Sequence, residues 1–485
     1  VAVGKDALAA NTTASSNTAI GYDALTANTT GTRLVAVGMQ ALMANTTAGN
    51  NTAVGYHAGK NVTTGAQNTA IGDVALYTCT EGDNNTVLGQ SALYALTDAD
   101  GCTAVGMNAL VALTTGNNNS SVGKSSGASV TTGTANTFVG SDCGRATTGG
   151  YNVAIGHQAG GPTTGSNSVA IGWGALYSAT TGGNNVAVGK YAMRLNTTGA
   201  SNTAVGTAAL DANTTGDENV AVGNNAMQLN TTGDSNVAVG RDALVNNTTA
   251  SNNVAIGALA LNDNTTGTQN VAVGAYTLDA NTTASYNTAL GYAALGANTT
   301  GLQNTSVGRE SLLANTTGNQ NTAVGVRALK ENTTAHDNTA IGCEALRANT
   351  TGAMNVGIGV SALTANTTSS QNTAVGYKAL GANTTGTQNT AVGTASQHTT
   401  STGNYNTSVG RESLQANTTG SSNTAVGTDA LQLNTTGQYN TAVGHDALDA
   451  NTTNNGSTAV GYKALTDNTA AVNTAVGYEA MEAMT

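Results

Sequence analysis

The stretch NSVAIG, Asn167–Gly172, carries the phrase from which the fold of this chain follows. Close variants of it recur throughout, such as NTAVG ending at Gly376 and NVAVG ending at Gly240. The recurring glycine advances from Gly4 to Gly21 to Gly38, which is a 17-residue period, and only three repeats are one residue shorter. With each repeat started three positions before its glycine, the chain holds 28 complete repeats and one that is cut short at the end. A fixed period of this length indicates a repeat architecture.

The 17 positions of the repeat are called columns 1 to 17 below, and their consensus is T-A-V-G-Y-x-A-L-x-A-N-T-T-G-x-x-N. Column 4 is Gly in every repeat, and column 3 is always Val, Ile or Leu. A position that is always Gly needs a positive φ or a close approach of another backbone segment. A short strand that ends in a tight turn meets both needs. The predicted turn glycines include Gly4, Gly21, Gly38, Gly172, Gly240, Gly376 and Gly477.

The repeat predicts an all-β fold, a β-solenoid in which one repeat makes one coil. Two glycines and a Thr-Thr pair in each repeat disfavour helix, whereas T-A-V or V-A-I before a glycine is typical of a short strand. We expect a second extended piece around columns 7 and 8, and a turn at N-T-T-G. Coils would stack about 4.8 Å apart, the usual spacing between strands. The whole chain, residues 1–485, is predicted to form one continuous array of 29 coils.

Two neighbouring columns of the strand are both apolar, although neighbouring side chains of a strand point to opposite faces. Column 2 is mostly Ala, and column 3 is Val, Ile or Leu. One face can fill the coil, so the other face needs a partner along the whole array. This pattern favours chains wrapped around a shared axis, most simply a homotrimer, over a single broad solenoid. We assign column 3 to the structural core, including Val3, Ile20, Val37, Ile171, Val239 and Val375.

Asn-Thr-Thr occurs 18 times and is formally a glycosylation sequon at each occurrence. Coils about 4.8 Å apart leave no room for a glycan on every asparagine. We expect a ladder of hydrogen-bonded Asn and Thr side chains instead. Evenly spaced Thr also raises ice binding as a minor alternative. The predicted ladder residues include Asn11, Asn28, Asn45, Asn196 and Asn451.

The segment 52–185 departs from the regular repeats of 1–51 and 186–485. It lacks Asn-Thr-Thr, and it holds the only Pro, Trp and Phe of the chain and three of the four Cys. Its column 8 changes from Leu to Gly in four repeats. We interpret it as a set of modified coils, for which a functional patch and simple drift between repeat subtypes are the two readings.

Composition and motif spacing exclude several classes of function. A net charge of −11 with thinly spread Lys and Arg does not fit nucleic-acid binding. No apolar run is long enough to insert into a membrane. The His, Asp, Glu and Ser residues show no catalytic or metal-ligand spacing. We therefore predict no enzyme activity, cofactor or metal site, and we expect the cysteines to be small, half-buried thiols without disulfides.

NSVAIG at Asn167–Gly172 resembles the head repeats of trimeric autotransporter adhesins. The form N-T-A-V-G-Y-x-A-L followed by N-T-T-G, as in Asn372–Gly386, resembles repeats of phage tail-fibre proteins. The resemblance implies a left-handed, trimeric β-roll that serves as the structural shaft of an extracellular attachment fibre, on a virion tail or a cell surface. A phage tail fibre is the first expectation, and a bacterial surface adhesin or free filament is the alternative. A cell-surface glycan or receptor would be bound by parts outside this sequence, which we expect to be a fragment.

Overall fold

The computed structural model describes residues 1–145, 148–468 and 470–482. They form an all-β, parallel β-solenoid in which each coil takes one repeat, and no helix occurs in these ranges. This confirms the fold class that the repeat predicts. The chain divides into two compact units, Val1–Arg241 and Asp242–Thr485. Each unit is described by itself, and the continuity of one array over 1–485 stays a prediction.

The first unit contains strands β1 to β15. Strand β1 has two residues, and each of the others has three. Their bounds are β1 Ala2–Val3, β2 Thr18–Ile20, β3 Val35–Val37, β4 Thr52–Val54, β5 Thr69–Ile71, β6 Thr86–Leu88, β7 Thr103–Val105, β8 Ser120–Val122, β9 Thr137–Val139, β10 Val153–Ile155, β11 Val169–Ile171, β12 Val186–Val188, β13 Thr203–Val205, β14 Val220–Val222 and β15 Val237–Val239.

The second unit contains strands β16 to β29, each of three residues. Their bounds are β16 Val254–Ile256, β17 Val271–Val273, β18 Thr288–Leu290, β19 Thr305–Val307, β20 Thr322–Val324, β21 Thr339–Ile341, β22 Val356–Ile358, β23 Thr373–Val375, β24 Thr390–Val392, β25 Thr407–Val409, β26 Thr424–Val426, β27 Thr441–Val443, β28 Thr458–Val460 and β29 Thr474–Val476.

Within each unit, every strand pairs in parallel with the strand of the next repeat, and equal columns face each other. Val169, Ala170 and Ile171 of β11, for example, stand opposite Val186, Ala187 and Val188 of β12. The shortened repeat that contains β10 keeps this register against β11. The missing residue is therefore absorbed outside the strand. Each column of the sequence becomes a row of stacked side chains along the solenoid.

Columns 5 to 10 form a series of turns, so the predicted second extended piece around columns 7 and 8 is wrong. Columns 6 and 8 adopt positive φ, as at Asp23 (55°) and Leu25 (53°). A left-handed non-glycine residue costs about 1–2 kcal/mol. Hydrogen bonds to both neighbouring coils offset this cost. The N–H of Asp23 donates to the Lys5 carbonyl of the preceding coil, and that of Leu25 donates to the Ala41 carbonyl of the following coil, both at 3.1 Å.

The core of each coil is thin and made largely of Ala and Leu. In the second coil, Ala19 (column 2), Ala24 (column 7) and Leu25 (column 8) are all fully buried. Buried Asn side chains close the opposite end of the coil. This arrangement explains how a chain that is poor in large apolar residues still buries a continuous interior: stacking supplies the second layer that a single coil lacks.

Candidate functional site

The outer face of the strands recurs in every coil of each unit. Column 3 points away from the coil: Ile20 is 40% exposed, whereas its neighbour Ala19 is fully buried. Column 3 therefore lies outside the coil of a single chain, because the narrow interior accepts Ala and leaves the larger β-branched residue outside. Its assignment to the structural core stays a prediction. The residues concerned are half-buried or exposed: Val3, Ile20, Val37, Ile171, Val239 and Val375.

The column-4 glycines are required for both of the reasons that the sequence indicates. Gly172 has φ 126°, and a Cβ at this position would lie 2.6 Å from the Gly189 carbonyl oxygen of the next coil. Any larger residue would separate the coils at this corner. The other predicted turn glycines share the positive φ: Gly4, Gly21, Gly38, Gly240, Gly376 and Gly477, at 123° to 140°.

Column 11 forms a ladder of asparagine amides inside the solenoid. Asn28 Nδ2 donates to Asn11 Oδ1 of the preceding coil (3.0 Å) and to the Gly31 carbonyl of its own turn (3.1 Å). Asn45 repeats this bond to Asn28 at 3.0 Å. The same contact joins Asn213 to Asn196 at 2.7 Å and Asn451 to Asn434 at 3.0 Å. Each amide thus closes one turn and ties two coils together.

These contacts bear on the glycan and ice alternatives. Asn28, Asn45 and Asn196 are fully buried, so their amides are not available to a glycosylating enzyme in the folded chain. The column-12 threonines also use their hydroxyls inside the ladder: Thr29 Oγ1 donates to the Thr46 carbonyl at 3.1 Å. A hydroxyl that is engaged in this way is not free to match an ice lattice.

Column 17 forms a second asparagine ladder. One cysteine replaces an asparagine in each of the two ladders. Asn51 Oδ1 accepts the backbone N–H of Asn68 in the next coil at 2.8 Å. Cys79 stands in column 11 and Cys102 in column 17, and both are buried. Burial raises the pKa of the Cys79 thiol to about 12, with nearby aspartates adding to the shift. Cys143 is also buried, only Cys343 is exposed, and all four are free thiols.

The modified segment repacks its core around one large residue. Phe138 takes the column-2 position that Ala holds in most repeats, and it is 1% exposed. Its ring occupies the space in front of two column-8 glycines: a Cβ on Gly127 would lie 3.0 Å from Phe138 Cδ2, and a Cβ on Gly144 would overlap the ring. Two further repeats have Gly59 and Gly160 in column 8. Beside Gly160 lies a cavity of about 20 Å³ with a mainly apolar lining.

One group of possible metal ligands is produced by stacking rather than by chain spacing. Ligand atoms of Asp429, His445 and Asp446 lie within 4.8 Å of one another. Asp429 and Asp446 share column 6 in consecutive repeats, so a search at the period of the repeat would have found them, although a search for short motifs did not. The Asp429 carboxylate already accepts bonds from Arg411 (2.9 Å) and Gln432 (3.1 Å).

Comparison of the chain with models of known protein families and with curated proteins finds no match. Within the described residues, no helix has the length and apolar character needed to cross a membrane. The geometry therefore carries the functional argument. A tandem array of similar coils, tied by backbone and amide ladders, is the architecture of a structural, fibre-like protein.

Proposed function

We propose that this chain is the non-enzymatic structural shaft of an extracellular attachment fibre, most simply a phage tail fibre. The observation that carries the proposal is the unpartnered apolar row on the outer strand face. In the second unit this row includes Ile256, Leu290 and Ile341, each about 40% exposed. Contiguous exposed apolar surface of this kind marks an association site.

The partner that best fits this row is another copy of the same chain. Rows of Val and Ile recur at the strand spacing of about 4.8 Å. A surface with the same repeat can match them along their whole length, and an identical chain has it. We therefore propose a homotrimer whose three chains run around one shared axis, left-handed as in the adhesin heads that the repeats resemble. Its stiffness would come from the asparagine and backbone ladders, which run parallel to the axis.

The second candidate is a bacterial surface adhesin or a free extracellular filament. The unchanged NSVAIG phrase at Asn167–Gly172 favours it, because this is the form of the adhesin-head repeats. Both candidates place the chain outside the cell, on a virion tail or on a cell surface. Ice binding is the weakest candidate, since the column-12 threonine hydroxyls are engaged in the ladder.

Electron microscopy and native mass spectrometry of the purified particle test the assembly. We expect three chains around one axis, and continuity with a tail structure would support the virion reading over the adhesin. The variant Ile341→Lys adds a charge to the outer strand face and should yield single chains with an unchanged β-sheet spectrum. Gln388→Lys adds the same charge at an exposed position outside the strands and should leave the trimer intact. Wild-type single chains at micromolar concentration would overturn the trimer.

A further inference from the structure

A stretch without acidic residues interrupts the otherwise acidic chain. The sequence has 26 Asp and Glu and a net charge of −11, yet neither residue type occurs from position 143 to position 210. The same stretch contains Arg145, Lys190 and Arg194, together with the only tryptophan, Trp173. The local excess of positive charge is therefore opposite in sign to that of the whole chain.

The fold gathers these cations and three aromatic rings on columns 5, 6 and 9 of neighbouring coils. Lys190 Nζ lies 4.7 Å from the ring centroid of Trp173 and 5.1 Å from that of Tyr191. The guanidinium of Arg194 lies 4.9 Å from the Tyr191 ring. The Trp173 and Tyr191 rings are 4.8 Å apart and inclined at 40°. We call these residues, with Arg145 and Tyr177, the Trp173 patch.

Arg145 and Tyr177 extend the patch across two coils. The Arg145 guanidinium lies 4.3 Å from the Tyr177 ring centroid, and its Nη1 donates to Tyr177 Oη at 3.2 Å. The coil between them has Gly161 in column 9, the column of both residues, so no side chain separates them. Both ends of the patch are thus held in place by contacts within the chain.

The positive charge of the patch is only partly neutralised. Arg194 forms two bonds of 3.0 Å with the carboxylate of Asp211. Among the residues that the structure describes, Arg145 and Lys190 have no carboxylate within 4 Å. Cation–π contacts orient a cation without cancelling its charge. Lys190 therefore stands beside Trp173, which is 43% exposed. Arg145 stands over Tyr177, which lies four residues from Trp173 in the same coil.

We propose that the Trp173 patch binds an acidic saccharide, with Arg145 and Lys190 pairing with its carboxylate or sulfate groups. The exposed edge of Trp173 would contact the apolar C–H face of a sugar ring. A nucleic-acid ligand fits less well, since its phosphates are bound by clustered Lys and Arg, and Asp142 and Asp211 flank this patch. The inference goes beyond the proposed structural role and does not depend on it.

Fluorescence of the wild-type chain in its solution assembly tests this site directly, because Trp173 is the only tryptophan. The probes are a hexameric polyuronate, a heparin-derived sulfated hexasaccharide and neutral maltohexaose. We expect saturable changes in Trp173 emission with at least one acidic probe, weakened by salt, and no change with maltohexaose. The two acidic probes distinguish carboxylate from sulfate as the recognised group.

Lys190→Gln should weaken binding about three- to five-fold, the effect of one exposed charge pair. Lys378→Gln is the matched control, because Lys378 Nζ also lies over a tyrosine ring, 5.2 Å from that of Tyr377, in the other unit. It should leave binding unchanged. Three results would each overturn the proposal. These are equal losses of binding in both variants, tighter binding of single-stranded DNA than of either acidic saccharide, and Trp173 emission that iodide cannot quench in the assembly. A failed trimer prediction with intact saccharide binding would leave this inference standing.

Discussion

The side chains of columns 2 and 8 share one space in the core, so a larger residue in one column requires a smaller residue in the other. The same substitution in column 8 should therefore destabilise one column-2 variant and stabilise another. Phe138 fills the space that Leu fills in coils with Ala in column 2, and Ala170 and Leu176 are one such pair. Gly144 has φ 57°, close to the 50° of Leu176, so its backbone already suits a leucine. We expect Gly144→Leu to destabilise the wild-type chain and to stabilise the Phe138→Ala variant.

The magnitudes follow from burial. Removing a buried phenylalanine ring costs about 3–5 kcal/mol, and the ladder bonds on both sides of this coil keep it from collapsing. Leucine at position 144 would then restore about 2–4 kcal/mol of the free energy of unfolding through core packing. Its left-handed backbone would cost about 1–2 kcal/mol of this gain. In the wild-type background the leucine would overlap the Phe138 ring, at a cost of about 1–3 kcal/mol.

Alkylation of Cys143 measures the local opening of this coil, which suits a repeat chain that need not unfold in one step. Cys143 is fully buried and is the residue before Gly144. Phe138→Ala should speed its reaction with N-ethylmaleimide about a hundred-fold or more, since about 1.4 kcal/mol is a factor of ten. Adding Gly144→Leu should slow it again about ten-fold, and Cys79 serves as the internal control. Equal effects of Gly144→Leu in both backgrounds would refute the exchange of volume.

Three further predictions concern the ladders and the buried groups. Asn281→Ala removes two donated bonds, of 2.8 Å to Asn264 and of 3.0 Å to the Ala284 carbonyl, and the bond of 3.1 Å accepted from Asn298. Hydrogen exchange should therefore show its coil destabilised by about 2–4 kcal/mol, whereas exposed Thr283→Ala should show no change. Burial, with neighbouring aspartates, raises the pKa of Asp449 to about 6. Folding therefore favours the protonated form of this carboxyl. The stability that the group contributes is lost as the pH rises from about 4 through 6. Asp449→Asn should accordingly stabilise the second unit by about 1 kcal/mol at pH 7, after allowance for solvent screening, and not at pH 3.5; equal stabilisation at both values would contradict this. Ellman's reagent at pH 8 should react at once with Cys343 alone, because the other three thiols are buried, and rapid reaction of a second thiol would show that a coil opens readily.

The strands and their register could be predicted because they depend on local residues and on a fixed period. A β-branched or small triplet before an invariant glycine specifies the strand wherever it occurs. The period then brings equal columns together, as the Asn28 and Asn45 amides show. The path of columns 5 to 10 could not be read in this way. Its left-handed residues, such as Leu25, are held by bonds to neighbouring coils that no propensity scale contains.

The candidate sites were harder to predict, since each joins residues of different coils. Asp429 and His445 belong to consecutive repeats, and Arg145 and Tyr177 lie two repeats apart. Read along the chain, these residues look scattered. Folded onto stacked coils, they become neighbours one or two strand spacings apart. The same stacking joins Phe138 to Gly127 of the preceding coil.

The sequence by itself determined the repeat, the strands, the turn glycines and the asparagine columns, because each depends on one residue type recurring at one position. Only the tertiary structure decided which strand face lies inside. Alternation places columns 2 and 3 on opposite faces without saying which one is buried. The narrow coil decides it by volume: Ala19 is fully buried together with Leu25 of its own coil, and the larger Ile20 is left on the outside.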